Sequence, residues 1–425
     1  MTDVDPSAVE TPRAAARQDA LAALRLPEVR AFALGRVAAV MGFQALSVAV
    51  GWQLYERTGS AWSLGLVGAF ELAPVLLLMI PAGHAADRFP RRNVAMFAHS
   101  LLALAALGLA WVAAHDAPVA TIYALLVVIG AARAFSSPSV ATILPQLLRP
   151  DQFANANAWL STGFQLASIS GPALGGFLIA WRGSAMPAYL AAAVGQLIFL
   201  GALSRLPARA PARPSTVEAR DLFAGFTFIR RQPIFLAAIT LDLFAVLFGG
   251  AVALLPIFAK DILHVGPLGL GWRRAAPALG AVTMALFATR MRPWRAPGRV
   301  LLWVVAGFGA ATVGFGLARS APLAMLFLFL TGVFDEVSVV IRATLEQTLT
   351  PDTLRGRVSA IHYVFIGFSN EFGALESGAT AAWLGPVVSV VGGGVAAVAV
   401  VLAVAGLWPQ LAACGPLSEL TPLED

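Results

Sequence analysis

Apolar runs long enough to cross a bilayer recur along the whole chain. From Ser63 to Ala82 the only formal charge is Glu71, and from Val94 to Ala114 there is none. A helix rises about 1.5 Å per residue and a hydrocarbon core is about 30 Å thick, so runs of this length span it. Similar runs fall near 32–55, 120–144, 154–181, 188–203, 234–258, 268–289, 300–317, 323–345, 358–383 and 387–407. The fold class this predicts is an all-α integral membrane protein with about twelve transmembrane helices. Composition agrees: 58% of the residues are hydrophobic, 12% are charged, and the mean hydropathy is +0.77. A soluble domain carries about 25% charged residues.

The formal net charge of +6 does not indicate nucleic-acid binding. The arginines lie in short connections between apolar runs, where they orient the chain, and are not interleaved with surface aromatics. Arginine-rich turns fall at Gly83-His84-Ala85-Ala86-Asp87-Arg88-Phe89-Pro90-Arg91-Arg92, at Arg149-Pro150-Asp151, at Arg290 to Arg299 and at Arg355 to Arg357. By the positive-inside rule these turns and both termini are cytoplasmic. The opposite turns, such as Glu56 to Ser60, His115-Asp116 and the last one near Gly385-Pro386, are poorer in arginine. The chain predicts a tight cytoplasmic turn at the decapeptide, with Gly83 letting two helix ends approach closely.

The one long polar connection is 205–232, rich in arginine and, up to Pro214, in proline. It divides the chain into a cytoplasmic tail (1–28), a six-helix bundle (29–204), a cytoplasmic linker (205–232), a second six-helix bundle (233–410) and a tail (411–425). Within the tail, 14–26 is expected to form a short surface helix, and 217–231 to lie along the membrane. The first 28 residues lack the apolar core of a cleaved signal. The two bundles repeat: Gln146 with Pro150-Asp151 matches Gln347 with Pro351-Asp352, and Leu64-Gly65-Leu66 recurs as Leu268-Gly269-Leu270. Arg88 and Arg91 have counterparts in Arg292 and Arg295, whereas the position equivalent to Asp87 is Met291. Parallel repeats related about the membrane normal are a plan of secondary transporters.

Ionisable groups at membrane depth are costly and mark functional positions. The spans hold Glu71, Arg133, Asp242, Asp335, Glu336, Arg342, Glu371 and Glu376. Acids outnumber bases in this set, so some acids are expected to be protonated, hydrated or open to a cation. Glu71 either pairs with Arg36 or Arg133 to fix packing or carries a proton or substrate. Asp242, flanked by Leu241, Leu243 and Phe244, needs a partner from another helix for a structural role. Asp335 and Glu336 diverge by about 100° around a helix, and Arg342 lies about two turns on from Asp335, far for an ordinary salt bridge. Glu371 and Glu376 stand among glycines and read more readily as packing hydrogen bonds. Arg133 either binds an anionic substrate group or balances Glu71.

The decapeptide resembles the signature loop between helices 2 and 3 of the major facilitator superfamily. In that family the Asp and first Arg of the loop latch the cytoplasmic side shut, which the resemblance implies for Asp87 and Arg88, with Gly83, Arg91 and Arg92 in the same gate. Gly59-Ser60, Glu71-Leu72-Ala73-Pro74, Pro351-Asp352-Thr353-Leu354-Arg355-Gly356-Arg357 and Ser369-Asn370-Glu371-Phe372-Gly373-Ala374-Leu375-Glu376-Ser377-Gly378 resemble the branch containing enterobactin exporters and macrolide efflux pumps. The resemblance covers about 32–411 and implies a rocker-switch fold, a central cavity lined by helices 1, 4, 7 and 10 with their neighbours, and export driven by inward proton flow. Pro90 within the loop and Met291 in its second copy depart from the pattern.

The expectation is therefore a secondary exporter of the bacterial inner membrane, moving a small amphipathic molecule such as a siderophore or an antimicrobial by proton antiport. Its partners would be that small molecule, protons and membrane lipid, with no nucleic acid, and the chain would act as a monomer. A nutrient importer, or a non-transporting receptor or scaffold, is the alternative. No enzyme chemistry is indicated: there is no phosphate-binding loop with Lys-Ser/Thr, no nucleophile and base pair, and no His/Cys cluster for a metal, so no cofactor is expected. Cys414, the only cysteine, cannot form an internal disulfide.

Overall fold

The computed structural model describes residues 23–149, 152–209, 226–291, 294–351 and 354–416. Most of the polar linker and both extreme tails lie outside the described residues; of the surface helices expected there, the described parts are a 3-10 turn at Ala23–Arg25 and a helical stretch at 226–231. Twelve long helices account for the fold. In the first half they are α1 Pro27–Thr58, α2 Ala61–Arg88, α3 Arg91–His115, α4 Val119–Ala141, α5 Phe153–Arg182 and α6 Met186–Ser204. In the second they are α7 Pro233–Phe248, α8 Gly266–Ala288, α9 Pro297–Leu317, α10 Ala321–Leu349, α11 Arg355–Leu384 and α12 Pro386–Leu407. Among the described residues ten spans are long and apolar enough to cross a membrane by themselves; α8 and α11 are the two that fall short, and both carry charged residues, Arg273 and Arg274 in α8 and Glu371 and Glu376 in α11.

Helix ends follow local chemistry. Proline opens α1, α6 and α7, where its missing N–H belongs to no helical bond. Gly59 ends α1 with φ of 60°, a conformation that suits a residue without Cβ. Two sequence expectations are corrected here. The tight turn is shorter than the decapeptide: α2 continues through Arg88, and only Phe89 and Pro90 separate it from α3. Gly83 is not a close-approach glycine either, since a Cβ there would meet nothing within 4 Å.

The two halves pack alike. In the first, α1 contacts α5 and α6, α2 contacts α4, and α3 contacts α4 and α6. In the second, α7 contacts α11 and α12, α8 contacts α10, and α9 contacts α10 and α12. Each first-half pair therefore reappears six helices later. The halves meet through α5 against α8 and α2 against α11, again the same pair exchanged.

Both contacts are closest at the end of the bundle opposite the chain termini, here the distal end. A Cβ on Gly378 would stand 2.4 Å from the Gly65 Cα, and one on Gly176 would stand 2.4 Å from the Pro267 carbonyl oxygen and 2.9 Å from the Gly271 Cα. Small residues let helix backbones approach where no side chain fits between them. Around these contacts the halves share one buried core, with Leu54, Leu109 and Tyr189 from the first half and Leu254, Phe258 and Phe315 from the second. Toward the terminal end the described residues form separate cores, one around Phe32 and Phe199 in the first half and two in the second, around Leu301 and Leu345 and around Phe235 and Val358.

The seventh span is not the continuous helix that the apolar run at 234–258 suggested. It stops at Gly249, passes through a 3-10 turn at Ala251–Leu254, and ends in a π turn at Phe258–Ile262. A Cβ on Gly250 would lie 2.4 Å from Ser377 Oγ, so α11 leaves no room for a side chain there.

Candidate functional site

A cavity of about 390 Å³ sits between the halves at mid-bundle. Its wall comes from α1, α2 and α4 on one side and from α7 to α11 on the other. Phe43, Phe308 and Phe315 supply apolar surface; Glu71, Arg133, Arg274, Asp335 and Glu371 supply charge. Apolar lining with a few converging polar groups is the usual build of a small-molecule site.

Glu71, on α2, meets Arg133, on α4, with Nη1 to Oε2 at 2.5 Å. The same Nη1 reaches Glu371 Oε1, on α11, at 3.2 Å. One guanidinium thus holds an acid from its own half and an acid from the other. The sterics behind this are local: Gly130 lets α4 lie against α2, because a Cβ there would stand 2.3 Å from the Glu71 carbonyl oxygen. Gly68 does the same for α11, where the Glu371 carbonyl oxygen would be 2.4 Å away. The Arg133 guanidinium also lies over the Phe43 ring, 5.3 Å from its centroid.

A second charged group sits in the second half. Arg342, on α10, forms an ion pair with Asp242 of α7 and donates through Nε to the Ser338 carbonyl at 3.2 Å. Its Nη2 lies 3.9 Å from Asp335 Oδ1, the long contact the sequence spacing suggested. The close partner of Arg342 is Asp242, which answers the need for a mate from another helix. Asp335 is half-exposed, facing the main cavity and a narrow cleft it shares with Asp242.

Glu336 and Glu376 are absent from the cavity wall and make no ion pair with another described residue. The Glu376 carboxylate accepts from its neighbour Ser377, at 3.3 Å, and its backbone carbonyl accepts from Thr380, at 2.9 Å. Asp87 and Arg88 close α2 at the terminal end and likewise make no ion pair among the described residues. Arg91 and Arg92 begin α3, each with a buried Nε lacking a partner.

Three features escaped the sequence reading. Arg273 and Arg274 lie within an apolar run, so the stated excess of acids over bases at membrane depth was overcounted by their omission. Arg273 donates to the backbone carbonyls of Gly269 and Ala321, at 2.9 and 3.2 Å. Arg274 lines the cavity and donates to Ser47 Oγ, on α1, at 2.8 Å. At the terminal end, Glu346 of α10 accepts hydrogen bonds from Ser359 and from His362 of α11, the latter at 2.6 Å. Within the first half, His99 is held between Gln196, at 2.7 Å, and Ser136, at 3.0 Å. Polar residues in apolar runs were the available signal in each case.

Two like six-helix halves around a charged, membrane-central cavity define a secondary transporter. The sequence model of the Major Facilitator Superfamily matches residues 32–374, and the chain belongs to that superfamily. Among curated relatives, the enterobactin exporter EntS of Shigella dysenteriae serotype 1 (strain Sd197) is 28% identical over 365 residues, covering 85% of this chain and 87% of that protein. EntS of Escherichia coli O81 (strain ED1a) matches to the same extent. A crystal structure of a POT family transporter in complex with 5-aminolevulinic acid aligns with a TM-score of 0.72 at 12% identity, covering 90% of this chain and 96% of that one. A bacterial homolog to the human lysosomal transporter Spinster, inward-facing and unoccupied, aligns with a TM-score of 0.70 at 15% identity, covering 92% and 97%. At these identities the solved structures speak for the fold alone.

Proposed function

We propose that this transporter is an exporter of the bacterial inner membrane that moves a small amphipathic molecule out of the cytoplasm by alternating access, driven by inward proton flow. A siderophore of the enterobactin type is the leading substrate, because the curated relatives are enterobactin exporters. Both termini and the arginine-rich turns face the cytoplasm in this reading.

The observation that carries it is the cavity-facing triad Glu71–Arg133–Glu371, which ties one half to the other. Protonating Glu371 removes the charge that holds it to Arg133 and loosens a contact between halves. Protonating Glu71 alters how firmly Arg133 is held for that contact. Proton occupancy thereby biases the equilibrium between the two access states, which is what coupling requires. Asp335 adds a carboxyl on the same cavity, the Asp242–Arg342 pair stands behind it with Asp242 on the narrow cleft that Asp335 shares, and Glu336 and Glu376 lie off the cavity wall. In the opposite state Asp87 and Arg88, with Gly83, Arg91 and Arg92 in the same gate, close the cytoplasmic side. Their lack of ion pairs here fits a state in which the distal end is the closed one.

Everted membrane vesicles carrying the protein test direction and drive together. Energised everted vesicles should accumulate enterobactin, and a protonophore should abolish the accumulation. Uptake by right-side-out vesicles alone would make the protein an importer. Accumulation of cationic drugs without enterobactin would replace the siderophore with an antimicrobial.

A further inference from the structure

Two guanidiniums lie on the cavity wall, and their surroundings differ. Arg133 is matched by two carboxylates, Glu71 and Glu371. Arg274 has no carboxylate in contact: Glu71 and Glu371 attract it only through space, it makes no ion pair with a described residue, and its one hydrogen bond goes to the neutral hydroxyl of Ser47. A guanidinium stays charged at any physiological pH and offers five N–H donors in a planar fork. None of the Arg274 nitrogens is among the described polar atoms that are buried without a partner, so its unused donors open into the cavity. Its neighbour Arg273 shows the contrast, since both terminal nitrogens there are engaged with backbone carbonyls on α8 and α10. Those bonds fix the rotation of α8 and, as adjacent residues diverge by about 100°, turn Arg274 to the cavity.

We propose that Arg274 is the anion-binding group of the cavity, and that the transported molecule presents an oxyanion to it with two oxygens available to one fork. This rests on the reading that the cavity holds the transported molecule. A charge removed from water needs a counter-charge in contact, and the two acids that attract Arg274 through space, Glu71 and Glu371, are both in direct contact with Arg133 instead. Planar two-oxygen anions, such as carboxylates and catecholates, match the fork through paired hydrogen bonds. The nearby acids do not occupy that position: Glu71 and Glu371 are turned onto Arg133, and Asp335 lies on the side of Arg342. Arg274 belongs to the second half and Ser47 to the first, so an anion seated there touches both halves, while Phe43 and Phe308 cover its apolar body.

The test is equilibrium binding to the full-length protein in lipid nanodiscs with three probes of similar size: benzoate, neutral benzyl alcohol and cationic benzyltrimethylammonium. Benzoate should bind wild type at least about tenfold more tightly than benzyl alcohol, a ratio within the reach of one charge-assisted pair. Arg274→Gln should erase that preference, and Arg274→Lys should keep part of it because it retains charge without the fork. Benzoate preference surviving Arg274→Gln overturns the proposal, as does a wild type that binds anion and neutral probe alike. If Arg274→Gln does not fold, the wild-type ratio and its reduction in Arg274→Lys decide; an Arg274→Lys protein with the full wild-type ratio overturns it. Binding reads neither direction nor driving ion, so a failure of the exporter reading leaves this result standing. Conversely, enterobactin export by a folded Arg274→Gln protein at wild-type KM removes this inference alone.

Discussion

Arg133 and Arg342 each gather two acids, in different surroundings. The Arg342 and Asp242 side chains are only 6% and 10% exposed, whereas Arg133 is 35% exposed to the cavity. Removing one member of a buried pair strands a charge, at a cost of about 3–5 kcal/mol. Arg342→Gln should therefore destabilise the protein by about that much in thermal unfolding, and Asp242→Asn with Arg342→Gln should recover most of it. A single substitution that leaves stability unchanged would mean the pair is not held as described. Gly83→Ala should be neutral for packing, because its Cβ meets nothing, and should raise stability by up to about 1 kcal/mol through helix propensity. A loss of stability there would restore the close-approach role that the structure removes. At this scale the sequence was half legible. A charge in an apolar run is conspicuous, so Glu71, Asp242 and Asp335 stood out. Which arginine each would meet depends on helix rotation and on contacts between segments distant in the chain. Whether Arg273 or Arg274 faces the cavity depends on the same rotation, and a linear pattern does not contain it.

At the level of elements, the apolar runs located the helices to within a few residues, because spanning lipid demands length and lack of charge together. Breaks inside an apolar run are harder to read. α7 stops at Gly249-Gly250, where a Cβ on Gly249 would meet the Phe308 ring of α9 and one on Gly250 would meet α11, facts about neighbours and not about the run itself. The glycines at the distal end follow the same logic and lead to a prediction. Gly378→Val places a side chain where the Gly65 Cα now lies, so it should force α2 and α11 apart. Tyr55 donates a hydrogen bond to Asp261 across the halves at that end, which supplies a reporter. With Cys414 replaced by serine, cysteines at 55 and 261 should be joined efficiently by a short bifunctional reagent in the parent and poorly in the Gly378→Val protein. Equal yields in both would show that the distal contact does not depend on glycine packing.

For the whole molecule, six-helix periodicity was legible in the repeat of Gln146 with Pro150-Asp151 at Gln347 with Pro351-Asp352, and contact between halves through α2–α11 and α5–α8 obeys the same periodicity. The asymmetry was less legible. One core is continuous across the halves at the distal end while the terminal end has separate cores, and this is a property of one conformational state that a sequence, which encodes both states, does not single out. In the proposed alternating-access reading, switching means splitting the shared core and joining the other end, and the cavity triad bridges the two halves between those ends. Its acids are not sealed away in permanent pairs remote from any vestibule: Glu71 and Glu371 line the cavity itself. The most direct measurement is substrate-dependent proton movement across proteoliposomes containing wild type or Glu71→Gln, with both proteins shown to be folded. Wild type should move protons against enterobactin, and Glu71→Gln should move neither uphill. A Glu71→Gln protein that still drives enterobactin uphill on a pH gradient at the wild-type rate would contradict the assignment of coupling to this triad.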